Sequence, residues 1–87
     1  MQLDLYHLNA CPYSAKVRDY LSGNGLAQYV TYHEVEKEAG ALRRLEAMNG
    51  SRQVPCLVVN GHPMLESDRI IAFCEENVRP YFEVKAS

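Results

Sequence analysis

The stretch "NACPYSAKV", Asn9 to Val17, sets a cysteine directly before a proline and places a serine three positions after it. If the chain turns helical from Pro12, Cys11 lies at the amino end of the helix, where unpaired N–H groups and the helix dipole favour negative charge. Such a position can take a thiol pKa from about 8.5 to roughly 3.5–7.5, and the thiolate is the form that attacks disulfides. Lys16 and Arg18 add positive charge on the same helix. The alternative is a buried structural cysteine. Pro12 fixes the backbone at the helix start, and Tyr13 would wall a shallow cleft. Ser14 decides the mechanism: a cysteine there would allow an internal disulfide, whereas serine leaves a mixed disulfide on Cys11 with no neighbouring thiol to resolve it. The second thiol must then come from solution. The Ser14 hydroxyl can also satisfy a local N–H, and the two roles are compatible.

Two further stretches carry chemistry. In "QVPCL", Gln53 to Leu57, a proline stands directly before an apolar strand. A cis Val54-Pro55 bond would turn the Val54 N–H and C=O outward to pair with an extended peptide; a trans proline at a strand's first residue is the alternative. In "LESDR", Glu66, Ser67 and Asp68 stand where a hairpin feeds a helix. Free N–H groups at such a start bind a carboxylate, and Glu66 or Asp68 can pair with an ammonium, so one end of an amino acid could be held there. The alternative is a plain helix cap. Cys56 and Cys74 read as core residues. His7, His33 and His62 show no ligand spacing with them, so no zinc site is expected.

These residues must be positioned by the elements around them. "LDLYHL" alternates apolar and polar residues, giving a first strand from Gln2 to Leu8. Val17, Tyr20 and Leu21 recur at helical spacing from Pro12 until Gly23 to Gly25 stop the helix. Tyr29 to Val35 is a second strand, and Glu38 to Asn49 a second helix on Leu42, Leu45 and Met48. "CLVV" and "HPML" flank a hairpin turn at Asn60-Gly61. Ser67 is expected to cap a last helix with Ile70, Ile71, Cys74 and Val78 on its buried stripe. The order β-α-β-α-β-β-α describes an α/β domain: a four-stranded mixed sheet flanked by three helices, with a right-handed crossover between its first two strands. The tail from 80 to 87 begins with a proline and is expected to fray.

The chain as a whole limits the functions open to it. Its 87 residues make one domain, 1–87, which excludes a two-domain enzyme. A formal charge of −2 and 47% apolar residues suggest neither disorder nor a polyanion-binding surface, so nucleic acid is not an expected partner. No apolar run approaches the roughly 20 residues that span a bilayer, and "MQLDLYHL" is no signal segment. No membrane partner is expected. Three cysteines without close spacing fit a reducing compartment, so the expected location is cytoplasmic.

Together the three stretches resemble the thioredoxin fold, specifically glutaredoxins and the amino-terminal domain of glutathione transferases, over nearly the whole chain. "CPYS" looks like the glutaredoxin "CPYC" with its last cysteine replaced. "VP" resembles the cis-proline strand of both families, and "NGSRQVPCLVVNGHPMLESDRII" is closer to the transferase pattern. The resemblance implies a thioredoxin-like fold and a glutathione site. Val54 would pair through its backbone with the cysteinyl part of the tripeptide, before Pro55. Glu66 and Ser67 would hold the γ-glutamyl end, with Asp68 an acidic position near it. Tyr13 would line the cleft, and Gln53 or Arg52 would meet the glycine carboxylate.

Two departures bear on activity. Glutaredoxins usually carry a lysine shortly before the active cysteine, and "YHLNAC" has none. Transferases carry a large helical second domain for the electrophile, whereas this chain stops after the last helix of the first domain, so conjugation of bulky electrophiles is not expected. The resemblance therefore implies a monomeric glutathione-dependent thiol-disulfide oxidoreductase that uses Cys11 alone, with glutathione as cosubstrate and glutathionylated proteins or small disulfides as partners. Two alternatives stand beside it. One is a carrier in which two chains and two glutathiones ligate a [2Fe-2S] cluster. The other is a non-catalytic glutathione-binding module related to transferases.

Overall fold

In the computed structural model, which describes residues 1–86, strand β1 (Leu3–His7) lies at the centre of the sheet. It runs parallel to β2 (Val30–Glu34) and antiparallel to β3 (Cys56–Val59), which pairs antiparallel with β4 (His62–Leu65). The order β2-β1-β3-β4 is the mixed four-stranded sheet that the sequence pattern predicts, with α1 (Pro12–Gly23) in the crossover between the parallel strands. Asn60 and Gly61 turn the hairpin with φ of 49° and 87°. Positive φ at both positions matches the turn to the right-handed twist of the strands it joins.

The sheet is covered on both faces, and β3 accordingly reads as a continuous apolar run, CLVV. Leu3 and Leu5 of β1 and Leu57 of β3 meet Val17 and Leu21 of α1, and Ile70, Cys74 and Val78 from the last helical stretch. On the other face Tyr6, Cys56 and Val58 pack under Ala41 and Leu45 of α2 (Ala41–Asn49). Leu5, Leu21, Leu45 and Leu57 expose nothing. Each such leucine contributes about 1.5–3 kcal/mol over leaving it in water. Among the described residues no helix is long and apolar enough to cross a membrane.

Several local expectations are corrected. The second helix begins at Ala41, not Glu38, because Gly40 enters it at φ 81° and Glu38 is engaged elsewhere. Its buried residues are Ala41 and Leu45, while Met48 is exposed. Ser67 does not cap the last helix: Glu66 holds the cap position at φ 76°, turning the chain out of β4, and Ser67 is the buried first residue of α3 (Ser67–Phe73). A π turn, Cys74–Val78, follows and leads into α4 (Arg79–Ala86). Where fraying was expected from Pro80, the chain is helical through Ala86; Ser87 lies outside the described residues. The π turn carries the Arg79 N–H back five residues to the Cys74 carbonyl. The hydrogen-bond register is therefore already shifted where Pro80 lacks a donor. Phe82 then stacks on Tyr29 with ring centroids 3.8 Å apart.

A polar clasp ties β1, β2 and the approach to α2. His33 Nε2 lies 2.9 Å from Asp4 Oδ1 and Nδ1 lies 2.8 Å from Glu38 Oε2, and the ring stacks on Tyr6. Only the imidazolium donates from both nitrogens. Burial pulls the His33 pKa down, but the hydrogen bonds and charges of Asp4 and Glu38 outweigh it, so the net shift is upward from 6.5. Arg44 also bonds Glu38, and Glu38 is held below its ordinary 4.5, chiefly by the His33 bond.

Because the folded His33 pKa is raised, its stabilisation is complete below 6.5 and is lost as pH rises through the folded value. The Glu38 contribution runs the other way: it is present above 4.5 and lost as pH falls through the lowered folded value. The pKa of buried His7 is lowered, so His7 favours the folded state above 6.5 and opposes the His33 trend. The comparison must therefore be between wild type and His33→Gln. Urea midpoints should differ most below about 6.5 and converge as pH rises; a difference independent of pH would refute a charged clasp.

Candidate functional site

The site starts where β1 gives way to α1. Cys11 is the N-cap residue of α1, with φ −83° and ψ 120°, and its carbonyl accepts the Ala15 N–H at 3.0 Å. Pro12 follows at the first helical position, where its missing donor costs no helical bond. No side-chain oxygen caps this helix. The Cys11 sulfur therefore stands where a capping oxygen would accept N–H bonds. Leu8 closes the loop: its carbonyl accepts the Cys11 N–H at 3.0 Å and its N–H donates to Ser14 Oγ at 3.2 Å.

Ser14 is fully buried. Its oxygen accepts from Leu8, and its hydroxyl is among the groups that lower the Cys11 pKa. Burial pushes the Cys11 thiol up, but the Ser14 N–H and hydroxyl, the Tyr13 N–H and the Arg18 charge together outweigh it, so its pKa falls below the ordinary thiol value. The other two cysteines move the opposite way. Burial raises Cys56, and burial with the Glu75 charge pushes Cys74 up to about 11. All three are free thiols, and only Cys11 is partly exposed.

A cleft of about 360 Å3 opens beside this helix end, lined by Tyr13, Gln53, Val54, Pro55, Glu66, Ser67 and Asp68. The fold thus gathers residues from all three stretches. Tyr13 is well exposed on one wall. The Val54-Pro55 bond is cis, and among the described residues no hydrogen bond engages the Val54 N–H or C=O. On the far wall the first intrahelical bond runs from the Ile70 N–H to the Glu66 carbonyl at 2.9 Å, leaving the amides of Ser67, Asp68 and Arg69 without helical partners. Cys11, Pro12 and Ser14 are not lining residues; Cys11 stands two positions before Tyr13.

Some side chains are engaged in ways the sequence did not signal. Lys16 pairs with Asp68 across α1 and α3, and Gln53 Nε2 donates to Glu66 Oε1 at 3.2 Å. Both acidic residues of the cleft therefore already have a donor. Arg52 pairs with Glu46 at 2.6 Å and lines a neighbouring hollow, outside the cleft. Arg18 turns back toward the β1–α1 loop, where it donates to the Leu8 carbonyl at 3.2 Å and the Asn9 carbonyl at 3.3 Å. The sequence marks Arg18 as positive charge on this helix, but no local pattern fixes the direction of its side chain.

Comparison with known proteins places this geometry. The family model described as glutaredoxin matches residues 3–64. No sequence among curated proteins matches. Among solved structures, a diazinon-metabolizing glutathione S-transferase from the silkworm Bombyx mori aligns with a TM-score of 0.74 at 27% identity, over 92% of this chain and 39% of that one. A glutathione transferase family member from Pseudomonas fluorescens, with bound glutathione, aligns with a TM-score of 0.74 at 26% identity, over 86% of this chain and 38% of that one. The chain thus spans about two fifths of the length of these transferases. Oxidized glutaredoxin 2 from Chlamydomonas reinhardtii shares the fold, with a TM-score of 0.68 at 23% identity over 98% of this chain and 81% of that one.

The Ser14 hydroxyl is the contribution to thiol acidity that can be removed most cleanly. Ser14→Ala should raise the Cys11 titration midpoint, followed by the ultraviolet absorbance of the thiolate. It should also destabilise the fold by about 1–3 kcal/mol, because the Leu8 N–H loses its acceptor. An unchanged midpoint in a folded Ser14→Ala chain would contradict the assigned bond.

Proposed function

The chain belongs to the glutaredoxin family, and on that premise we propose that it is a glutathione-dependent thiol-disulfide oxidoreductase working through Cys11 alone. The observation that carries this reading is that one thiol of three is both accessible and acidified, and it stands beside a cleft that offers an extended peptide a free backbone edge. The Cys11 thiolate attacks the glutathionyl sulfur of a protein–glutathione disulfide. The old S–S bond breaks, the protein sulfur leaves with the bonding pair and takes a proton, and Cys11 holds glutathione as a mixed disulfide. A second glutathione, as thiolate, attacks the glutathionyl sulfur of that disulfide. Cys11 thiolate is regenerated and oxidised glutathione departs. Electrons balance: the protein disulfide is reduced and two glutathiones are joined.

Ser14 cannot close an internal disulfide, and Cys56 and Cys74 are sealed in the core, so the resolving thiol comes from solution. This need for a reduced glutathione pool fits a cytoplasmic setting. The same cysteine set gives a [2Fe-2S] carrier one protein thiolate per chain, so four ligands would require two chains and two glutathiones. Nothing in the geometry favours that assembly over turnover by a single chain.

The tripeptide fits the cleft in pieces. The free Val54 N–H and C=O suit its cysteinyl backbone, and the amides at the start of α3 with Ser67 suit the γ-glutamyl carboxylate. Glu66 and Asp68 suit the ammonium, which must displace Gln53 or Lys16 from them. Gln53 suits the glycine carboxylate as a donor. Holding both ends of glutathione brings its sulfur to Cys11 in one orientation and removes much of the entropic cost of encounter.

Turnover of a glutathionylated peptide under excess glutathione tests the reading directly: Cys11→Ser should abolish it, and full activity in Cys11→Ser would refute the mechanism. Asp68→Asn tests the ammonium position. Exposed charge pairs are weak and Lys16 already competes, so KM for glutathione should rise only roughly two- to fivefold with kcat little changed. A fall in kcat at constant KM would assign Asp68 a different role.

A further inference from the structure

The carbonyls of the loop that presents Cys11 are gripped by Arg18. Arg18 Nη1 donates to the Leu8 carbonyl at 3.2 Å and lies 3.0 Å from His7 Nδ1, and Nη2 donates to the Asn9 carbonyl at 3.3 Å. The Leu8 carbonyl that receives Arg18 is the same one that receives the Cys11 N–H at 3.0 Å. A single oxygen therefore links the guanidinium to the Cys11 backbone. Arginine has donors only, so His7 Nδ1 must be the unprotonated nitrogen and His7 must be neutral in this arrangement. His7 is 6% exposed and meets the Tyr32 ring edge to face, so the acceptor is itself fixed.

The other groups around the loop complete the frame. Glu34 on β2 accepts the Asn9 N–H at 2.9 Å, so the loop is anchored to β2 through its amide and to α1 through its carbonyls. Glu34 is held below its ordinary pKa, first by that Asn9 bond and then by the Glu36 N–H. Lys16, the other cation near the start of α1, is committed to Asp68. Tyr32 on β2 faces Arg18 with its pKa raised, mainly by burial. Among the described residues, Arg18 is the cation that both touches the loop and acts electrostatically on Cys11.

We propose that Arg18 is the positioning residue for Cys11: its guanidinium, seated on neutral His7, fixes the Leu8 and Asn9 carbonyls that present the sulfur and supplies the thiolate with its standing positive charge. This rests on the reading of Cys11 as the reacting thiol. To the Ser14 and Tyr13 hydrogen bonds, which lower the Cys11 pKa more strongly, Arg18 adds a positive charge where the preceding "YHLNA" has no lysine. The planar fork matters as much as the charge, because it reaches two successive carbonyls and the imidazole at once.

The test measures the pH dependence of Cys11 alkylation, in the absence of glutathione, and kcat on a glutathionylated peptide, for Arg18→Met, Arg18→Gln and Arg18→Lys. Arg18→Met and Arg18→Gln should raise the alkylation midpoint and lower kcat several-fold. Arg18→Lys should bring the midpoint back toward wild type while kcat stays low, since one ammonium cannot span both carbonyls. If Arg18→Met fails to fold, the Gln and Lys variants decide the matter. A folded variant of either kind with wild-type midpoint and kcat overturns the role of Arg18. An inactive wild-type chain overturns the proposed function instead, because the midpoint is read without glutathione.

Discussion

Where a strand ends and a helix begins, a few backbone groups belong to neither element, and here they are concentrated in the peptide units around Leu8. The Leu8 N–H goes to Ser14, and its carbonyl takes both the Cys11 N–H and Arg18. A buried amide left without a partner costs on the order of 1–3 kcal/mol, so these bonds determine the path of the loop. The rest of the site is referred to that loop. Helix α1 starts at a fixed point over the sheet, Cys11 occupies the cap position, and Tyr13 stands against the cis-proline segment and the start of α3.

Acidity at Cys11 follows from a balance, and the other two cysteines show what tips it. Burial disfavours every thiolate in this protein, and for Cys56 and Cys74 it prevails. At Cys11 burial is still the largest single influence, but two backbone amides, one hydroxyl and one guanidinium oppose it together. The serine that replaces a second thiol is part of this balance. Its hydroxyl, whose oxygen accepts the Leu8 N–H, is among the groups that lower the Cys11 pKa.

Much of this was legible in the residues. Strand periods, the Asn60-Gly61 turn and the apolar stripe through Ile70, Cys74 and Val78 gave the sheet and its helices, because burial on two faces leaves a strong imprint on sequence. The grouping of "CPYS", "VP" and "ESD" about one site was implied by the family resemblance, and Tyr13, Val54, Pro55, Glu66, Ser67 and Asp68 line one cleft. Less legible were features set by tertiary partners. Ser67 has the chemistry of a cap, but the turn out of β4 gives the cap position to Glu66. Pro80 signals a helix end, but the π turn ahead of it and the stacking of Phe82 on Tyr29 accompany a helix that continues. Arg52, Lys16 and Arg18 are long side chains whose direction no local pattern fixes. Glu46, Asp68 and the Leu8–Asn9 carbonyls respectively claim them.

The central claim is that an acidified single thiol and a glutathione cleft form one site, and a single titration addresses both halves. The rate of Cys11 alkylation should be followed against pH with and without S-methylglutathione, which can occupy the cleft but has no thiol to react. A midpoint below the ordinary thiol value of about 8.5, with alkylation slowed by the ligand, is the predicted result. A midpoint at or above that value, with alkylation unaffected by S-methylglutathione, would contradict the account.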